Sequence, residues 1–344
     1  MAGLDDLSQR FRRFALNHAR PTSPLYSHLA LGVAGDRAIL GIAQKAASTP
    51  ATNLFFATVH NLLLSGADHP LRAFYPNLTP DAQPPEGAFP LLRSFCGMYE
   101  PELVEALKQR RTQTNEVRRC QYLALGFDLV AREAGRYSVI DVGSSAGLHL
   151  MWPRYGYDYE GHRLGDAASP VQLTCQFEGE LRPSLPREWS EPVRQIGIDL
   201  NPLDPTNHAD QTWLRALIWP EHAERAALLD HALRMACAQP PRVETGDVFA
   251  RLPELLDECA ADGAWCVCHN HTLNQFSDAD RRRFDEMLAA HAVGRPIYRL
   301  SAEWLGTEKT EFVFSKYLDG AKSQRLLARV DDHGAWVQWA DRVS

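Results

Sequence analysis

The sequence lacks the features by which several specialised classes of protein are recognised. No apolar run approaches the roughly 20 residues that a membrane-spanning helix needs, and the first residues contain no apolar signal region. Basic residues are not in excess, since 36 Lys and Arg stand against 43 Asp and Glu and the formal net charge is −7. The seven cysteines include no Cys-x-x-Cys pair. These absences predict a soluble cytoplasmic protein with reduced thiols, no membrane partner and no bulk basic surface for nucleic acid.

Internal repeats and low-complexity tracts are also missing, and a composition of 45% hydrophobic and 23% charged residues is typical of a globular protein. Residues 1–134 show helical periodicity and form one predicted region. In residues 135–344 strand patterns alternate with helical patterns, which predicts βαβ units in an open, mostly parallel sheet. Residues 155–191 read as an insertion in this α/β region, and the turn residues 331–334 predict a C-terminal antiparallel hairpin.

The stretch from Tyr137 to Met151 is the most informative part of the chain. Residues 138–142 form a short apolar run typical of a strand inside a parallel sheet, and the run contains one carboxylate, Asp141. A buried carboxylate is costly without partners, so Asp141 is a candidate functional residue. The small residues of 143–147 allow a sharp turn and the close approach of a ligand. A helix that begins at Leu148 would direct free N–H groups at the space above the strand.

Polar residues also follow the next three predicted strands. Asp199 ends the second strand and precedes Asn201, Asp247 follows the third strand, and the fourth ends in residues 269–271, with the sequence His-Asn-His. Ligands of open α/β sheets bind outside the carboxyl ends of the strands. Carboxylates at three successive strand ends suit a ligand with hydroxyl and amino groups, because one carboxylate can accept two charge-assisted hydrogen bonds.

This order of residues resembles the class I S-adenosylmethionine-dependent methyltransferases, over roughly residues 137–339. The resemblance implies a Rossmann-like sheet of the methyltransferase type and S-adenosylmethionine as the cofactor. It also implies that the turn lies against the methionine part, that Asp141 holds its amino group through water, that Asp199 takes the ribose hydroxyls and that Asp247 meets the adenine amine. The cofactor-binding residues implied in this way are Asp141, Gly143, Ser145, Gly147, Asp199, Asn201 and Asp247.

The whole chain is also similar to a prokaryotic family, domain of unknown function 2332. The segments that carry this similarity are SPLY (23–26), RRTQTNEVRRC (110–120), DVGSSAGLHLMW (141–152) and GIDLNPLD (197–204). Membership would imply a bacterial protein and brings no established activity. Within the second segment, Arg111, Gln113, Asn115 and Glu116 offer donors and acceptors and are the predicted substrate contacts. The alternative for that segment is a capped helix start with a solvated basic face.

Two other chemistries fit part of the same pattern. Gly143, Ser145 and Gly147 also match Gly-x-Ser-x-Gly, the nucleophile elbow of α/β-hydrolases, with acids and histidines following in the order of a triad. That fold requires several strands before the elbow, whereas the region before Tyr137 is helical in pattern. Cys266, Cys268 and the two histidines that follow provide metal-ligand chemistry, but side chains alternate along a strand and cannot surround one ion. No metal is therefore predicted.

The sequence predicts an S-adenosylmethionine-dependent methyltransferase that acts on a small-molecule acceptor. Catalysis would consist mainly of positioning, with at most one general base, and the predicted catalytic residues are His269, Asn270 and His271. A serine esterase that uses Ser145 and a non-enzymatic protein that binds a nucleotide-like metabolite are the alternatives.

Overall fold

The computed structural model describes residues 2–48, 50–258 and 263–342. Cys259, one of the seven cysteines, lies outside these ranges. The chain forms two compact units. The first comprises Met1–Thr114 with Asn207–Ala227, and the second comprises Asn115–Thr206 with Leu228–Ser344. Among the helices in the described ranges, none combines the length and the apolar composition that crossing a bilayer requires.

The α-helices of these ranges are α1 Ala2–Arg13, α2 Pro24–Gly35, α3 Arg37–Ala43, α4 Ala51–Leu64, α5 Ala88–Met98, α6 Glu100–Gln109, α7 Cys120–Ala134, α8 His208–Ala216, α9 Ala223–Ala238, α10 Val248–Glu258 and α11 Asp278–His291. A π-helix covers Phe14–Ala19, and short 3-10 helices cover Pro70–Phe74, Pro85–Gly87, Val117–Arg119, Leu148–Arg154 and Leu273–Gln275. The strands are β1 Tyr137–Val142, β2 Gly156–Tyr159, β3 His162–Gly165, β4 Gln172–Cys175, β5 Gln195–Asp199, β6 Val243–Thr245, β7 Ala264–Asn270, β8 Ile297–Glu303, β9 Thr310–Leu318, β10 Ala321–Val330 and β11 Val337–Trp339.

The first unit is helical, and local sequence signals set its elements. Ser23 caps α2 by accepting a hydrogen bond from the Tyr26 N–H, and Pro24 occupies the first helical position. The Ser23 hydroxyl also donates to Glu221 Oε2 over 2.7 Å, and the Leu25 N–H donates to Glu221 Oε1 over 2.9 Å. One carboxylate from a distant part of the sequence thus receives two donors at the start of α2.

The second unit is built on a mostly parallel sheet with the strand order β11-β10-β9-β8-β7-β1-β5-β6. The strands β6, β5, β1, β7 and β8 pair in parallel. The pairs from β8 to β11 are antiparallel. From β1 the chain builds one side of the sheet and then returns to place β7 on the other side. The crevice at the carboxyl ends of β1 and β7 is therefore a topological switch point, where open α/β sheets bind ligands.

The two faces of this sheet pack against different helices. On one face Ile140, Val142 and Val267 join a core cluster with residues of α10 and α11. On the other face Asp141 lies beside Cys268 of the neighbouring strand, and Asn270 contacts Tyr122 of α7. Alternation along the strands produces this division, because successive side chains point to opposite faces. The helix α7 belongs to the second unit, although its sequence falls in the helical pattern of residues 1–134.

The insertion forms a small sheet of its own, with the order β3-β2-β4. Its core is aromatic: Tyr157 and Tyr159 stack with ring centroids 5.9 Å apart, and Trp189 meets both rings edge-on. Buried hydroxyl groups find partners, since the Tyr159 hydroxyl donates to the Gln121 carbonyl oxygen over 2.7 Å. This segment therefore has a structural core, as expected for aromatic side chains that combine a large apolar area with a polar tip.

The structure corrects two local expectations. The antiparallel part exceeds the predicted hairpin, because β9 (Thr310–Leu318) lies between β8 and β10. Residues 148–154, expected as a regular helix, form a 3-10 helix instead. Pro153 lacks the N–H that a continuing α-helix would use, and Gly147 at the start has a left-handed φ of +73°. The coarse prediction, a mixed α/β fold with a mostly parallel sheet, is confirmed.

Candidate functional site

The turn after β1 adopts the left-handed conformation at three residues. The φ angle is +76° at Gly143, +53° at Ser145 and +73° at Gly147. This conformation suits glycine and strains serine. The Gly143 N–H donates to the Ile198 carbonyl oxygen over 2.8 Å, so the turn is anchored to the neighbouring strand β5.

The space beside the two glycines is filled by the protein itself. A Cβ atom on Gly143 would lie 2.3 Å from Thr272 Oγ1, and one on Gly147 would lie 2.8 Å from the side chains of Pro241 and Val243. Close packing of the turn against neighbouring segments therefore explains both glycines without a ligand. The cofactor contact that the methyltransferase resemblance implies for them stays a prediction.

Asp199 joins the second strand end to the turn. Its Oδ2 accepts a hydrogen bond from the Ser145 N–H, and its Oδ1 accepts one from the Asn201 N–H, both over 2.8 Å. The Asp199 carbonyl oxygen accepts from the Gly246 N–H over 2.9 Å, which brings the end of β6 beside the end of β5. The structure thus brings three predicted residues, Ser145, Asp199 and Asn201, into direct contact.

Asp247 has a structural partner at the third strand end. Its side chain is exposed, and Oδ1 accepts a hydrogen bond from the Phe249 N–H over 2.7 Å. An aspartate that accepts from the N–H two residues later at a helix start acts as an N-cap. This accounts for Asp247 at the start of α10, and its predicted adenine contact remains a prediction.

Asp141 is buried beneath the turn and faces two side chains of its own unit. The Cys268 thiol donates to Asp141 Oδ1 over 3.5 Å, whereas Asp141 Oδ2 has no hydrogen-bond partner. Burial raises the pKa of Asp141 to about 7, and the nearby Asp199 charge acts in the same direction. Near neutral pH the protonated and ionised forms of Asp141 are therefore both accessible.

His149 presents an acceptor nitrogen to Asp141. Its Nε2 lies 2.9 Å from the Glu116 carbonyl oxygen, which can only accept, so Nε2 carries the proton and Nδ1 is the lone-pair nitrogen. Burial, and then the positive charge of Arg119, lower the pKa of His149 to about 4. Nδ1 lies 3.8 Å from Asp141 Oδ2. Two acceptor atoms thus face each other across a gap that a proton donor would bridge.

The predicted substrate segment is divided between the two units. In the second unit, Asn115 Oδ1 accepts from the Leu148 N–H over 2.9 Å, and Glu116 contributes the carbonyl oxygen to His149. The helix-start N–H that the sequence directs at a ligand is therefore occupied by Asn115. Arg111 and Gln113 belong to the first unit, where the Arg111 guanidinium donates to carbonyl oxygens of residues 108–110.

His269 is enclosed in a complete hydrogen-bond network. Its Nδ1 lies 2.6 Å from Glu303 Oε1, and the Arg299 Nε donates to its Nε2 over 2.9 Å. Arginine can only donate, so Nε2 is unprotonated and Nδ1–H donates to Glu303. Burial, and then the Arg299 charge, lower the pKa of His269 and keep the ring neutral. With both nitrogens engaged, His269 has none left for a reacting group.

Glu303 fixes the loop after β7 as well as His269. Oε1 accepts from the backbone N–H groups of Thr272 and Leu273, and Oε2 accepts from that of Asn274. A carboxylate that satisfies three backbone donors at a helix start is a strong local constraint. Glu303 was not predicted from the sequence. Because Glu303 ends the fifth parallel strand, the rule that ligands bind at strand ends would have identified it.

Asn270 and His271 differ from His269 because they have polar atoms left over. Asn270 Oδ1 accepts from the Tyr122 hydroxyl over 3.0 Å, while its Nδ2 is buried without a hydrogen-bond partner. His271 has a left-handed φ of +51°, and its Nε2 is likewise buried without a hydrogen-bond partner. Burial, and then the Arg119 charge, lower the pKa of His271 to about 4. Of the three predicted catalytic residues, His269 therefore has both ring nitrogens hydrogen-bonded, whereas Asn270 and His271 each keep one buried nitrogen without a partner. We call the first side chain closed and the other two open.

A model of the domain of unknown function 2332, an uncharacterized protein conserved in bacteria, matches residues 8–339. No curated protein and no solved structure matches the chain. The matched range covers most of both compact units, the turn after β1 and every polar side chain of the candidate site. Because the match covers nearly the whole chain, the chain belongs to this bacterial family, domain of unknown function 2332.

Proposed function

We propose that this chain is an S-adenosylmethionine-dependent methyltransferase with a Rossmann-like sheet of the methyltransferase type, and that it binds the cofactor at the carboxyl ends of β1, β5 and β6. The observation that carries the proposal is the coupling of the glycine turn to Asp199 through the N–H groups of Ser145 and Asn201. A carboxylate offers about four acceptor positions and accepts charge-assisted hydrogen bonds, which is the chemistry that binds ribose hydroxyls. The geometry keeps this carboxylate beside the turn.

Two orphaned buried atoms support the fit of the methionine part. Asp141 Oδ2 and Ser144 Oγ are buried without a hydrogen-bond partner. When Asp141 is ionised, the gap between its Oδ2 and His149 Nδ1 presents only acceptors, so an ammonium group or a water held by it suits the gap. When bound, the cofactor supplies an electrophilic methyl group on its sulfonium.

The protein's part in such a reaction would be mainly to orient the acceptor, since alignment of two bound groups replaces an encounter in solution. A proton released by the acceptor needs a base with a nitrogen left for it. His269 does not provide one, whereas His271 Nε2 is buried without a hydrogen-bond partner. His271 is therefore the histidine to test as a general base.

The serine esterase alternative has one observation in its favour, the strained φ of +53° at Ser145. A triad would also need a histidine nitrogen for Ser145. Both nitrogens of His269 are engaged by Glu303 and Arg299, so the base would have to be His271. Labelling by a fluorophosphonate probe that disappears in Ser145→Ala would favour the esterase. In a methyltransferase the same substitution should weaken cofactor binding only modestly.

The direct test is calorimetric titration with S-adenosylhomocysteine of the wild type, Asp199→Ala and Asp204→Ala. Asp204 is a matched control because it is an exposed aspartate of the same loop that accepts from Thr206. Micromolar binding that is lost in Asp199→Ala and kept in Asp204→Ala supports the proposal. A folded wild type that does not bind S-adenosylhomocysteine contradicts it, and binding without turnover on any acceptor would favour a non-enzymatic metabolite-binding protein.

A further inference from the structure

A cluster of buried polar side chains lies between the start of α7 and the end of β7, in the second unit. We call Arg119, Tyr122, Asn270 and His271 the α7 cluster. Arg119 is 6% exposed and Asn270 is 8% exposed. The Tyr122 hydroxyl donates to Asn270 Oδ1 over 3.0 Å, which joins the helix to the strand end.

The hairpin turn between β10 and β11 closes the other side of the α7 cluster. Arg119 Nε donates to the Asp332 carbonyl oxygen over 2.9 Å, and His271 Nε2 lies 3.9 Å from Asp332 Oδ1. A Cβ atom on Gly334 would lie 2.7 Å from the Arg118 carbonyl group, so the turn packs directly on the segment that carries Arg119. These contacts place the arginine and the two strand-end residues around one small region.

The α7 cluster contains a buried hydrogen-bond donor without a partner. The Tyr122 bond holds the Asn270 amide with its oxygen toward the tyrosine, so the buried Nδ2 remains as a donor without a partner. The guanidinium of Arg119 has five N–H donors and no acceptor, and its Nε donates to Asp332. A buried donor without an acceptor loses its hydration and gains nothing in return, so such a group is a strong indication of a missing acceptor.

We propose that Arg119 and Asn270 bind the carboxylate group of a small ligand. A carboxylate is planar and has two oxygens, which match the forked donors of a guanidinium and a neighbouring amide. A phosphate dianion fits less well, because Arg119 is the one cation of the cluster and the Asp332 carboxylate already lies 3.9 Å from His271 Nε2. A group with one negative charge therefore suits the cluster better than a dianion does.

The carboxylate can belong to either of two molecules. One is a free small acid, which would be the acceptor or another metabolite. The other is the amino-acid tail of the cofactor, and this second source rests on the function proposed above. The proposed carboxylate site itself does not rest on that function, because its residues and the small-acid titrations are separate from Asp199 and the turn.

Asn270→Asp is the decisive variant. The new carboxylate can still accept from the Tyr122 hydroxyl, so the packing is retained, but it replaces the free N–H donor by a negative charge. Asn274→Asp is the matched control, since Asn274 is exposed and lies four residues away in the same loop. Both variants and the wild type are titrated with acetate, succinate and benzoate at constant ionic strength, with phosphate and sulfate as comparison anions.

A second pair of titrations identifies the source of the carboxylate. S-adenosylhomocysteine carries an amino-acid tail, and 5′-methylthioadenosine does not. If the amino-acid tail occupies the carboxylate site, Asn270→Asp weakens binding of S-adenosylhomocysteine at least tenfold and changes the affinity for 5′-methylthioadenosine by less than twofold. If a free acid occupies it, a small carboxylate binds the wild type saturably and at least tenfold more weakly to Asn270→Asp.

The proposal is overturned if Asn270→Asp changes neither the affinity for any small acid nor the ratio of the affinities for S-adenosylhomocysteine and 5′-methylthioadenosine. It is also overturned if phosphate or sulfate binds as well as the carboxylates do. A wild type that binds small acids but not S-adenosylhomocysteine would contradict the methyltransferase proposal and support the carboxylate site. Should Asn270→Asp not fold, the side-chain amide signal of Asn270 in the wild type provides the readout by NMR, and an unmoved signal at saturating acid or S-adenosylhomocysteine overturns the proposal.

Discussion

The two faces of the sheet at the end of β7 hold buried polar side chains in opposite states. On the α11 face, His269 packs edge-on against Phe284 and has both ring nitrogens bonded. On the α7 face, Asn270 follows directly in sequence and keeps a buried donor without a partner. Neighbouring residues on one strand thus differ because alternation sends them into different surroundings.

This difference in hydrogen bonding indicates which buried polar residues have a structural role. A closed buried network stabilises one arrangement of the chain, because removal of any member leaves charged or polar partners without compensation. An open one costs free energy in the absence of a partner and gains it when a ligand supplies the missing atom. The closed side is therefore expected to respond most to substitutions that test stability, and the α7 cluster to those that test binding.

The largest effect is expected from opening the closed side. Glu303→Gln removes the negative charge that accepts hydrogen bonds from His269 and from three backbone N–H groups. Because several charge-assisted hydrogen bonds are weakened or lost together, the free energy of unfolding should fall by about 3–5 kcal/mol. Urea unfolding followed by fluorescence measures the change. Glu311→Gln is the matched control, since Glu311 pairs with Glu303 across the strands but is one-third exposed, 3.8 Å from Arg329. A loss below about 1 kcal/mol for Glu303→Gln, the range of exposed pairs, would contradict the closed network.

The next effect concerns the open side and depends on pH. Because burial raises the pKa of Asp141 to about 7 from an ordinary value of 3.8, the folded protein holds this proton more tightly than the unfolded chain. Stability from this group is full below pH 3.8 and is lost as the pH rises through 7. Between pH 4 and pH 8 the wild type should therefore lose stability relative to Asp141→Asn. The difference between their free energies of unfolding should change by up to about 4 kcal/mol, at 1.36 kcal/mol per pKa unit.

Asp204→Asn serves as the control for this pH dependence. Hydrogen bonds from the Thr206 side chain and backbone lower the pKa of Asp204 below 3.8, so the wild type gains stability relative to this variant as the pH rises toward 3.8. The difference between the two should then stay constant from pH 4 to pH 8. Urea denaturation at a series of pH values compares the three proteins. Parallel pH curves for the wild type and Asp141→Asn would show that Asp141 does not carry a raised pKa.

A smaller effect is expected at the turn that separates the two sides. Gly143→Ala combines a left-handed φ of +76° with a Cβ atom 2.3 Å from Thr272 Oγ1, and should destabilise by about 3 kcal/mol. Gly320→Ala has a similar φ of +80° in open space and should cost roughly 1–2 kcal/mol, from backbone strain alone. Thermal unfolding distinguishes the two, and equal losses would mean that the contact with Thr272 is unimportant.

The smallest effect is expected at the rim of the closed network. Lys322 Nζ lies 2.8 Å from both oxygens of Asp285, which also receives Arg299, and both side chains of the lysine pair are about one-third exposed. Lys322→Gln should cost below about 1 kcal/mol, and the cost should shrink further in 1 M NaCl. A loss comparable with that of Glu303→Gln would extend the closed network to the surface.

Much of this organisation could be predicted from local patterns. The alternation of strands and helices, the cap at Ser23 and the acids at three strand ends all follow from short-range periodicity and turn chemistry. The strand β9 was missed although its burial alternates along its length, and regular alternation is the expected signal of a strand. Arg119 was visible only as part of a polar segment, since nothing in the sequence placed it beside the end of β7.

The sequence alone determined which residues stand at the ends of the parallel strands, because strand period and turn composition are local properties. Which of their polar atoms form hydrogen bonds depends on the tertiary structure. His269 is closed by Glu303, 34 positions away, and Arg119 is held by Asp332, 213 positions away. Such partners meet only when the sheet is assembled, since hydrogen bonds act over about 3 Å in space and take no account of sequence distance. The division between polar groups with complete and incomplete hydrogen bonding is therefore a property of the fold.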